Sequence, residues 1–271
     1  MPNLNINGTD IFYRDEGQGA ETLIFAHGLL FSSEMYRNQI EVLKAKYRCI
    51  SLDFKGQGKS GIGKGGYDMD TLTDEVLELI EKLHIRNFHF IGLSMGGFVG
   101  MRLALRNPVG LISLILLNTT AEKEPIINIP KYTMLNFIAR WFGLKKVIDK
   151  VLPTVFSQDF LSNPNRADEK KFWKNQLISN DRIGITRAVK GVIYRKGVDH
   201  EIAKINIPTL IVSGEYDVAT VPKYSKKINQ AIKGSKWVSI SDAAHTSTIE
   251  NPEMVNKSII EFLSSIRSTV N

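Results

Sequence analysis

The chain has 271 residues, a formal net charge of +7 and 43% hydrophobic residues, which predicts a folded domain with a sizeable core and excludes a disordered chain. The single cysteine, Cys49, excludes an internal disulfide and a cysteine-based metal cluster. Residues 1–6 lack a basic, apolar leader, and no segment approaches the roughly 20 apolar residues of a membrane span. We therefore expect a cytoplasmic protein.

Eight short strand-like runs follow one another along the chain, each ending in Gly, Asn, Asp or a polar turn. They cover residues 3–6, 11–14, 22–26, 48–52, 88–92, 113–117, 209–213 and 237–240. From the third run onward, helical patterns alternate with the strands. This alternation predicts an α/β fold, with an eight-stranded mostly parallel sheet, helices on both faces and an antiparallel edge at the N-terminus.

Three helices of the core are predicted from apolar spacing and end signals. One face of the first helix is formed by Leu72, Val76, Leu79, Ile80 and Leu83. Thr71 precedes them and Asp74 lies three residues after it, a spacing that resembles a capping box. A second helix is predicted over residues 95–106 and ends at the following Asn-Pro pair. A third is predicted over residues 252–264 and begins at a proline.

The segment 122–205 interrupts the alternation with a helical pattern and separates two parts of a core domain, residues 1–121 and 206–271. We predict that it is an inserted helical cap, or lid. It holds 16 basic and 9 acidic residues, whereas the remainder holds 19 of each, so the cap carries the whole excess charge. That charge could attract an anionic substrate or an anionic surface, or it could reflect solvated helix faces.

The cap is also rich in aromatic residues. It holds nine of the chain's 24 Phe, Trp and Tyr residues. These side chains could line a substrate cavity, or they could simply hold the cap together.

The most informative motif is the Gly-Leu-Ser-Met-Gly run of residues 92–96, which lies between a strand and a helix start. A serine hydroxyl becomes a useful nucleophile when a sharp turn exposes it beside a base and free N–H groups. We expect Gly92 and Gly96 to be required because a side chain at either position would crowd the neighbouring strand or helix. Taken alone, the motif could also be a glycine-rich turn without chemistry.

A serine nucleophile requires a base and an acid that orients the base. His245 follows the last predicted strand and Asp217 follows the strand before it, so both should lie with Ser94 at the carboxyl edge of the sheet. Asp217 is the favoured acid because its loop is long enough to turn back toward His245. The alternative acids are Glu215, Asp242 and Glu122.

Acyl transfer also requires donors for an oxyanion. We predict that the backbone N–H of Met95 is one donor and that the N–H of Leu29, in the turn after the third strand, is the other. His27 and Gly28 should support this turn, with His27 bracing the loop through hydrogen bonds rather than transferring protons. No cofactor, metal or nucleic-acid motif is evident.

Together these motifs resemble the α/β-hydrolase superfamily. The matching segments are the oxyanion loop at 27–28, the Asp-x-x-Gly-x-Gly-x-Ser turn at 53–60, the nucleophile elbow at 92–96, the acid loop at 214–217 and the histidine loop at 244–245. The serine in the elbow argues against the haloalkane dehalogenase and epoxide hydrolase branches, whose nucleophile is an aspartate. The missing Gly-Gly-Gly extension disfavours the lipase-like and several carbon–carbon hydrolase patterns, so the chain is more similar to small esterases, enol-lactonases and perhydrolase-like enzymes.

The resemblance implies a cofactor-independent serine hydrolase that cleaves a small carboxylic ester or lactone through an acyl-enzyme on Ser94. One alternative is a carbon–carbon bond hydrolase or a perhydrolase on the same residues. Another is a receptor of the same fold that binds a small ligand with little turnover. The sequence leaves the natural substrate and the oligomeric state open.

Overall fold

The computed structural model describes residues 2–267. Its strands are β1 (Asn3–Ile6), β2 (Thr9–Glu16), β3 (Thr22–Ala26), β4 (Arg48–Leu52), β5 (Phe88–Leu93), β6 (Leu111–Leu117), β7 (Thr209–Gly214) and β8 (Lys236–Ile240). Within the described residues they form one sheet in the order β1-β2-β4-β3-β5-β6-β7-β8. The β1–β2 and β2–β4 pairs are antiparallel and the rest are parallel, so the predicted sheet is confirmed.

The helices of the core lie on both faces of this sheet. They are α1 (Arg37–Leu43), α2 (Met69–Lys82), α3 (Met95–Arg106), α9 (Pro222–Ala231), α10 (Ser247–Glu250) and α11 (Pro252–Arg267). Side chains of α2, α3 and α9 share one apolar cluster with Ile24 and Ala26, whereas those of α1 and α11 share another with Leu23 and Phe25. Alternate residues of β3 therefore face opposite layers, as the pleat of a strand requires.

Five further α-helices lie between β6 and β7, in the part of the chain predicted to be a cap. They are α4 (Ile129–Phe142), α5 (Ile148–Val155), α6 (Gln158–Ser162), α7 (Ala167–Ile178) and α8 (Arg182–Ile193). Phe156 stacks on Phe160 with ring centroids 4.5 Å apart, and Trp173 is fully buried. No helix within residues 2–267 is long and apolar enough to cross a membrane.

Candidate active site

Ser94 lies in the turn that joins β5 to α3, and its backbone is unusual. Its φ of 52° and ψ of −110° belong to a region that residues with side chains rarely adopt. The turn is held because the Ser94 N–H donates to the carbonyl of Leu117, at 2.9 Å, and Thr119 Oγ1 donates to the Ser94 carbonyl, also at 2.9 Å. Such strain is maintained only where surrounding contacts enforce it, and it is concentrated at functional sites.

The two glycines of the elbow lie in contact with neighbouring backbone. A Cβ added to Gly92 would lie 2.2 Å from the carbonyl oxygen of Gly96, and one added to Gly96 would lie 1.9 Å from the carbonyl oxygen of Ala26. Both distances are far inside van der Waals contact, so a side chain would displace α3 from β5 or β3. The close packing of helix and strands therefore requires glycine at both positions.

His245 and Asp217 are hydrogen-bonded partners. His245 Nδ1 lies 2.9 Å from Asp217 Oδ2, and both side chains are buried. The other oxygen, Oδ1, accepts from the N–H groups of Ala219 at 2.8 Å and Thr220 at 2.9 Å. Oδ2 also accepts from Thr220 Oγ1 at 2.8 Å and from Asn118 Nδ2 at 3.0 Å. The carboxylate is thus fixed on every side while it faces the imidazole.

This environment keeps Asp217 ionised. Burial by itself would raise the pKa of the carboxyl group, but the charge and hydrogen bond of His245, together with hydrogen bonds from Asn118 and Thr220, outweigh it and lower the pKa below the ordinary value of 3.8. A charged Asp217 accepts the Nδ1 proton of His245, which leaves Nε2 as the acceptor nitrogen.

The three alternative acids lie in other surroundings. Glu215 and Asp242 are exposed to solvent, and Glu122 pairs with Lys227 Nζ at 2.6 Å. Among the acidic side chains considered from the sequence, Asp217 is therefore the one that contacts His245.

Ser94 and His245 both line one cavity of about 180 Å³. Within residues 2–267 no hydrogen bond joins Ser94 Oγ to His245, so the structure brings the histidine to the acid and brings both serine and histidine to the cavity. Hydrogen bonds between catalytic groups are commonly loose before substrate binds and tighten in the Michaelis complex.

Of the two predicted oxyanion donors, Leu29 lines the same cavity as Ser94, and Met95 follows Ser94 in the chain. Leu29 lies in a turn that the Phe31 N–H closes onto the Gly28 carbonyl at 3.1 Å, and Met95 is the first residue of α3. In the described part of the chain, neither the N–H of Leu29 nor that of Met95 donates a hydrogen bond. Both donors are thus available to an oxygen atom, as the first N–H groups of a helix usually are.

Both ring nitrogens of His27 form hydrogen bonds with backbone groups. Nδ1 lies 2.7 Å from the Gly28 carbonyl, and Nε2 accepts from the Phe54 N–H at 2.9 Å. Burial lowers the pKa of His27 by more than nearby Asp53 and the Gly28 carbonyl raise it, so the ring is neutral. A neutral ring with both nitrogens occupied ties the loop after β3 to the loop after β4.

Sequence reasoning missed two amides that hold the same loop. Gln57 Oε1 accepts from the Leu30 N–H at 2.8 Å, and Asn180 Nδ2 donates to the Leu30 carbonyl at 2.7 Å. Asn180 comes from the connection between α7 and α8, and its Oδ1 also accepts from the Gly58 N–H at 3.1 Å. Leu30 has a φ of 75°, a conformation that these bonds stabilise. Asn180 lies 150 residues from Leu30, and no local motif marks it.

The cavity wall is mostly apolar and comes largely from the helices between β6 and β7. The side chains from these helices include Leu135, Ala139, Val151, Val155, Ile185 and Val189. The structure describes all nine aromatic residues of the segment 122–205. Of these nine, Tyr132 is the one that lines the cavity. Phe156 stacks on Phe160, and Phe31 contacts both Phe156 and Trp173.

One part of the wall is polar. Arg195 Nη1 lies 2.9 Å from Glu124 Oε2, and the guanidinium also lies over the ring of Phe98, 4.3 Å from its centroid. The Arg195 side chain is only 4% exposed and that of Glu124 is 12% exposed. Because the two charges balance, this buried part of the cavity has no net charge. Lys150 also lines the cavity but is exposed to solvent.

The three remaining histidines have other environments. His89 Nδ1 lies 2.7 Å from Ser113 Oγ inside the sheet, His84 is exposed after α2, and His200 is exposed beside Glu201. Across residues 2–267, no group of three or more His, Cys, Asp and Glu side chains is arranged to hold a metal ion.

Comparison with known proteins agrees with this architecture. The family model of the alpha/beta hydrolase fold matches residues 21–252. The chain belongs to the α/β-hydrolase family. This α/β-hydrolase is 28% identical to the AB hydrolase superfamily protein YisY of Bacillus subtilis, over 94% of this chain and 96% of the relative.

Two enol-lactonases are also similar to this α/β-hydrolase. The 3-oxoadipate enol-lactonase 1 of Acinetobacter baylyi is 25% identical over 92% of this chain and 91% of the relative. The crystal structure of an enol-lactonase from Burkholderia xenovorans has a TM-score of 0.90 and 29% identity, and covers 97% of this chain and 100% of that chain. The family and these relatives support hydrolase activity.

Proposed function

We propose that this α/β-hydrolase is a serine hydrolase of small carboxylic esters or lactones, with Ser94 as nucleophile, His245 as base and Asp217 as orienting acid. The observation that carries the proposal is the 2.9 Å contact between His245 Nδ1 and Asp217 Oδ2, beside a cavity that Ser94 also lines. Because the Nδ1–H of His245 donates a hydrogen bond to the carboxylate, the unprotonated Nε2 is left to accept the proton of Ser94.

The reaction begins as Ser94 Oγ bonds to the substrate carbonyl carbon and its proton passes to His245 Nε2. The tetrahedral intermediate then expels the alcohol oxygen, which takes that proton, and an acyl-enzyme remains. Water attacks the acyl carbon while His245 takes a proton from it, and the acid leaves as His245 passes that proton to Ser94 Oγ. In a lactone the alcohol stays attached to the acyl group, so one hydroxy acid is released.

Leu29 and Met95 are proposed to stabilise the negative oxygen of each tetrahedral intermediate. Leu29 lines the same cavity as Ser94, Met95 follows Ser94 directly, and neither N–H donates to a group within residues 2–267. Fixed backbone donors favour the transition state because they require no reorganisation when the charge forms, and one such donor contributes about 3 to 4 kcal/mol. The hydrogen bonds of His27, Gln57 and Asn180 keep the loop that contains Leu29 in position.

The cavity supports a small substrate with an apolar group. Its wall is predominantly aliphatic, and the buried pair of Arg195 and Glu124 adds polarity without net charge. An unpaired carboxylate there would lose its hydration, so an uncharged acyl or alcohol group is favoured. Similarity to two enol-lactonases supports the inclusion of lactones. We also propose that residues 122–205 act as the cap, because α4, α5 and α8 supply much of the wall.

The proposal is tested by the turnover of p-nitrophenyl butyrate and of a simple lactone by the wild type and a Ser94→Ala variant. We expect kcat/KM to fall by about 10⁴-fold or more, because the nucleophile is removed. Ser241→Ala, at an exposed serine, is the matched control and should retain wild-type activity. Retained activity in a folded Ser94→Ala variant would refute the assignment, and a wild type that binds without repeated turnover would favour a receptor.

A further inference from the structure

Helix α4 is apolar on two opposite faces. One face lines the cavity through Tyr132, Leu135, Asn136 and Ala139. Met134, Phe137 and Trp141 point the other way, since their angular positions at about 100° per residue are centred roughly opposite those of the cavity-lining residues. These three side chains are 60%, 55% and 65% exposed. A helix that is apolar on both faces is normally buried on both, and none of the residues that the structure describes covers the outer face.

The exposed apolar area extends beyond the helix itself. Ile126 and Ile127, in the turn before α4, are 73% and 84% exposed, and Phe142 at its end is 65% exposed. Of the 15 large apolar side chains that are exposed among the described residues, six therefore fall within residues 126–142. We call these six residues the α4 surface: Ile126, Ile127, Met134, Phe137, Trp141 and Phe142. A concentration of this kind indicates an interaction site rather than ordinary surface scatter.

The segment 126–146, which contains the α4 surface, carries only positive charges. Residues 126–146 contain Lys131, Arg140, Lys145 and Lys146 and no acidic residue. At 3.6 residues per turn, Lys131 and Arg140 project about 90° to either side of the stripe formed by Met134, Phe137 and Trp141. A stripe of aromatic and aliphatic side chains with a cation on each side is typical of a helix that lies in the plane of a membrane surface.

We propose that the α4 surface docks onto a lipid bilayer that contains anionic lipids. The helix would lie parallel to the surface, with Phe137 and Trp141 at the level of the headgroups and Lys131 and Arg140 against lipid phosphates. A second copy of this chain fits less well, because a two-fold contact through this face would oppose identical positive charges. A bilayer supplies both apolar depth and negative charge, and it needs no matched shape.

The test is sedimentation of the full chain with vesicles of phosphatidylcholine alone or with phosphatidylglycerol added. We expect binding to the anionic vesicles that weakens as salt is raised, and little binding to neutral vesicles. Tryptophan fluorescence should shift to shorter wavelength on binding, because Trp141 is 65% exposed whereas Trp173 is 1% exposed. The Lys131→Glu/Arg140→Glu variant should lose at least about 25-fold in partitioning.

Two further variants separate the apolar contribution from charge alone. Phe137→Ser/Trp141→Ser should lose vesicle binding, whereas Val109→Ser, at a 96% exposed position elsewhere, should not. A charge control, Lys233→Glu/Lys257→Glu, changes two exposed lysines outside the cap and should keep most of the binding. Each variant is first checked for a wild-type unfolding midpoint.

Failure of the folded wild type to bind anionic vesicles at low salt would overturn the proposal. Binding that survives in Phe137→Ser/Trp141→Ser would also overturn it, since the α4 surface would then not be the contact. A concentration-dependent dimer that these substitutions abolish would assign the surface to a second copy of the chain instead. None of these outcomes depends on ester hydrolysis.

Discussion

Asn118 Nδ2 lies 3.0 Å from Asp217 Oδ2 and 2.9 Å from the Ala244 carbonyl, so one amide connects the acid loop to the histidine loop. Asn118 follows β6 directly, and Asp217 lies in the loop after the neighbouring strand β7. The Oδ1 atom of Asn118 accepts a hydrogen bond from Ser247 Oγ at 2.6 Å. The parallel pairing of β6 with β7 therefore positions the amide that holds the carboxylate in front of His245.

Replacing Asn118 with aspartate should weaken this connection. The variant loses the amide donor and places a second carboxylate beside Asp217, so we expect the free energy of unfolding at pH 7 to fall by about 1 to 3 kcal/mol. Asn107→Asp is the matched control, because Asn107 has a similar φ of 46° but is exposed. Urea unfolding of both variants measures the difference, and equal effects would show that the amide contributes nothing specific.

Asp217→Asn should affect catalysis more than folding. An asparagine amide can favour the wrong tautomer of His245, and this loss lowers kcat by about 10⁴-fold in enzymes with such a triad. Asp242→Asn is the control because Asp242 lies in the same loop after β8 as His245 but is exposed. Steady-state kinetics on p-nitrophenyl butyrate measures both. An Asp217→Asn variant with near wild-type kcat would assign the orienting role to another group.

The lowered pKa of Asp217 also predicts how stability depends on pH. In the unfolded chain the carboxyl group protonates near 3.8, whereas in the folded protein it stays charged to lower pH. Asp217 therefore contributes stability above pH 3.8, and this contribution is lost as pH falls from 3.8 through the folded pKa. Urea unfolding of wild type and Asp217→Asn should give a difference that decreases as the pH falls below 3.8. A difference that grows on acidification would contradict this sign.

Gly96→Ala should destabilise the fold because the new methyl group would lie 1.9 Å from the Ala26 carbonyl oxygen. Displacing α3 from β3 should cost about 1 to 3 kcal/mol, the range for overpacked cores. Gly65→Ala is the matched control because nothing lies within 4 Å of its added Cβ. Thermal unfolding of the two variants makes the comparison. Equal midpoints would mean that the elbow tolerates a side chain at this position.

Much of the sheet could be predicted from the sequence because buried parallel strands form short apolar runs that end at polar turns. All eight strands were predicted to within two residues at each end. The start of α2 was predicted at Thr71, and this was wrong. Asp68 is the N-cap, and its carboxylate accepts from the Thr71 N–H at 3.0 Å. Asp68 and Thr71 both have side chains that can cap a helix. Met69 is buried, and its burial favours the longer helix that begins after Asp68.

The contacts that hold the candidate site could not be predicted in the same way. Asn118 and Asp217 are 99 residues apart, and their contact depends on which strands are neighbours in the sheet. A polar residue directly after a buried strand was a signal that could have identified Asn118. The bond from Asn180 to Leu30 carries no such signal because it depends on how the helices after β6 fold back over the loop after β3.

The most direct test of the central claim is covalent labelling with a fluorophosphonate, followed by intact mass measurement and peptide mapping. We expect one label per chain, attached to Ser94, with ester hydrolysis lost in proportion to labelling. His245→Ala should label far more slowly, because the hydroxyl loses its base. A label on another residue, or no label in a preparation that hydrolyses esters, would contradict the assignment of Ser94 as the nucleophile.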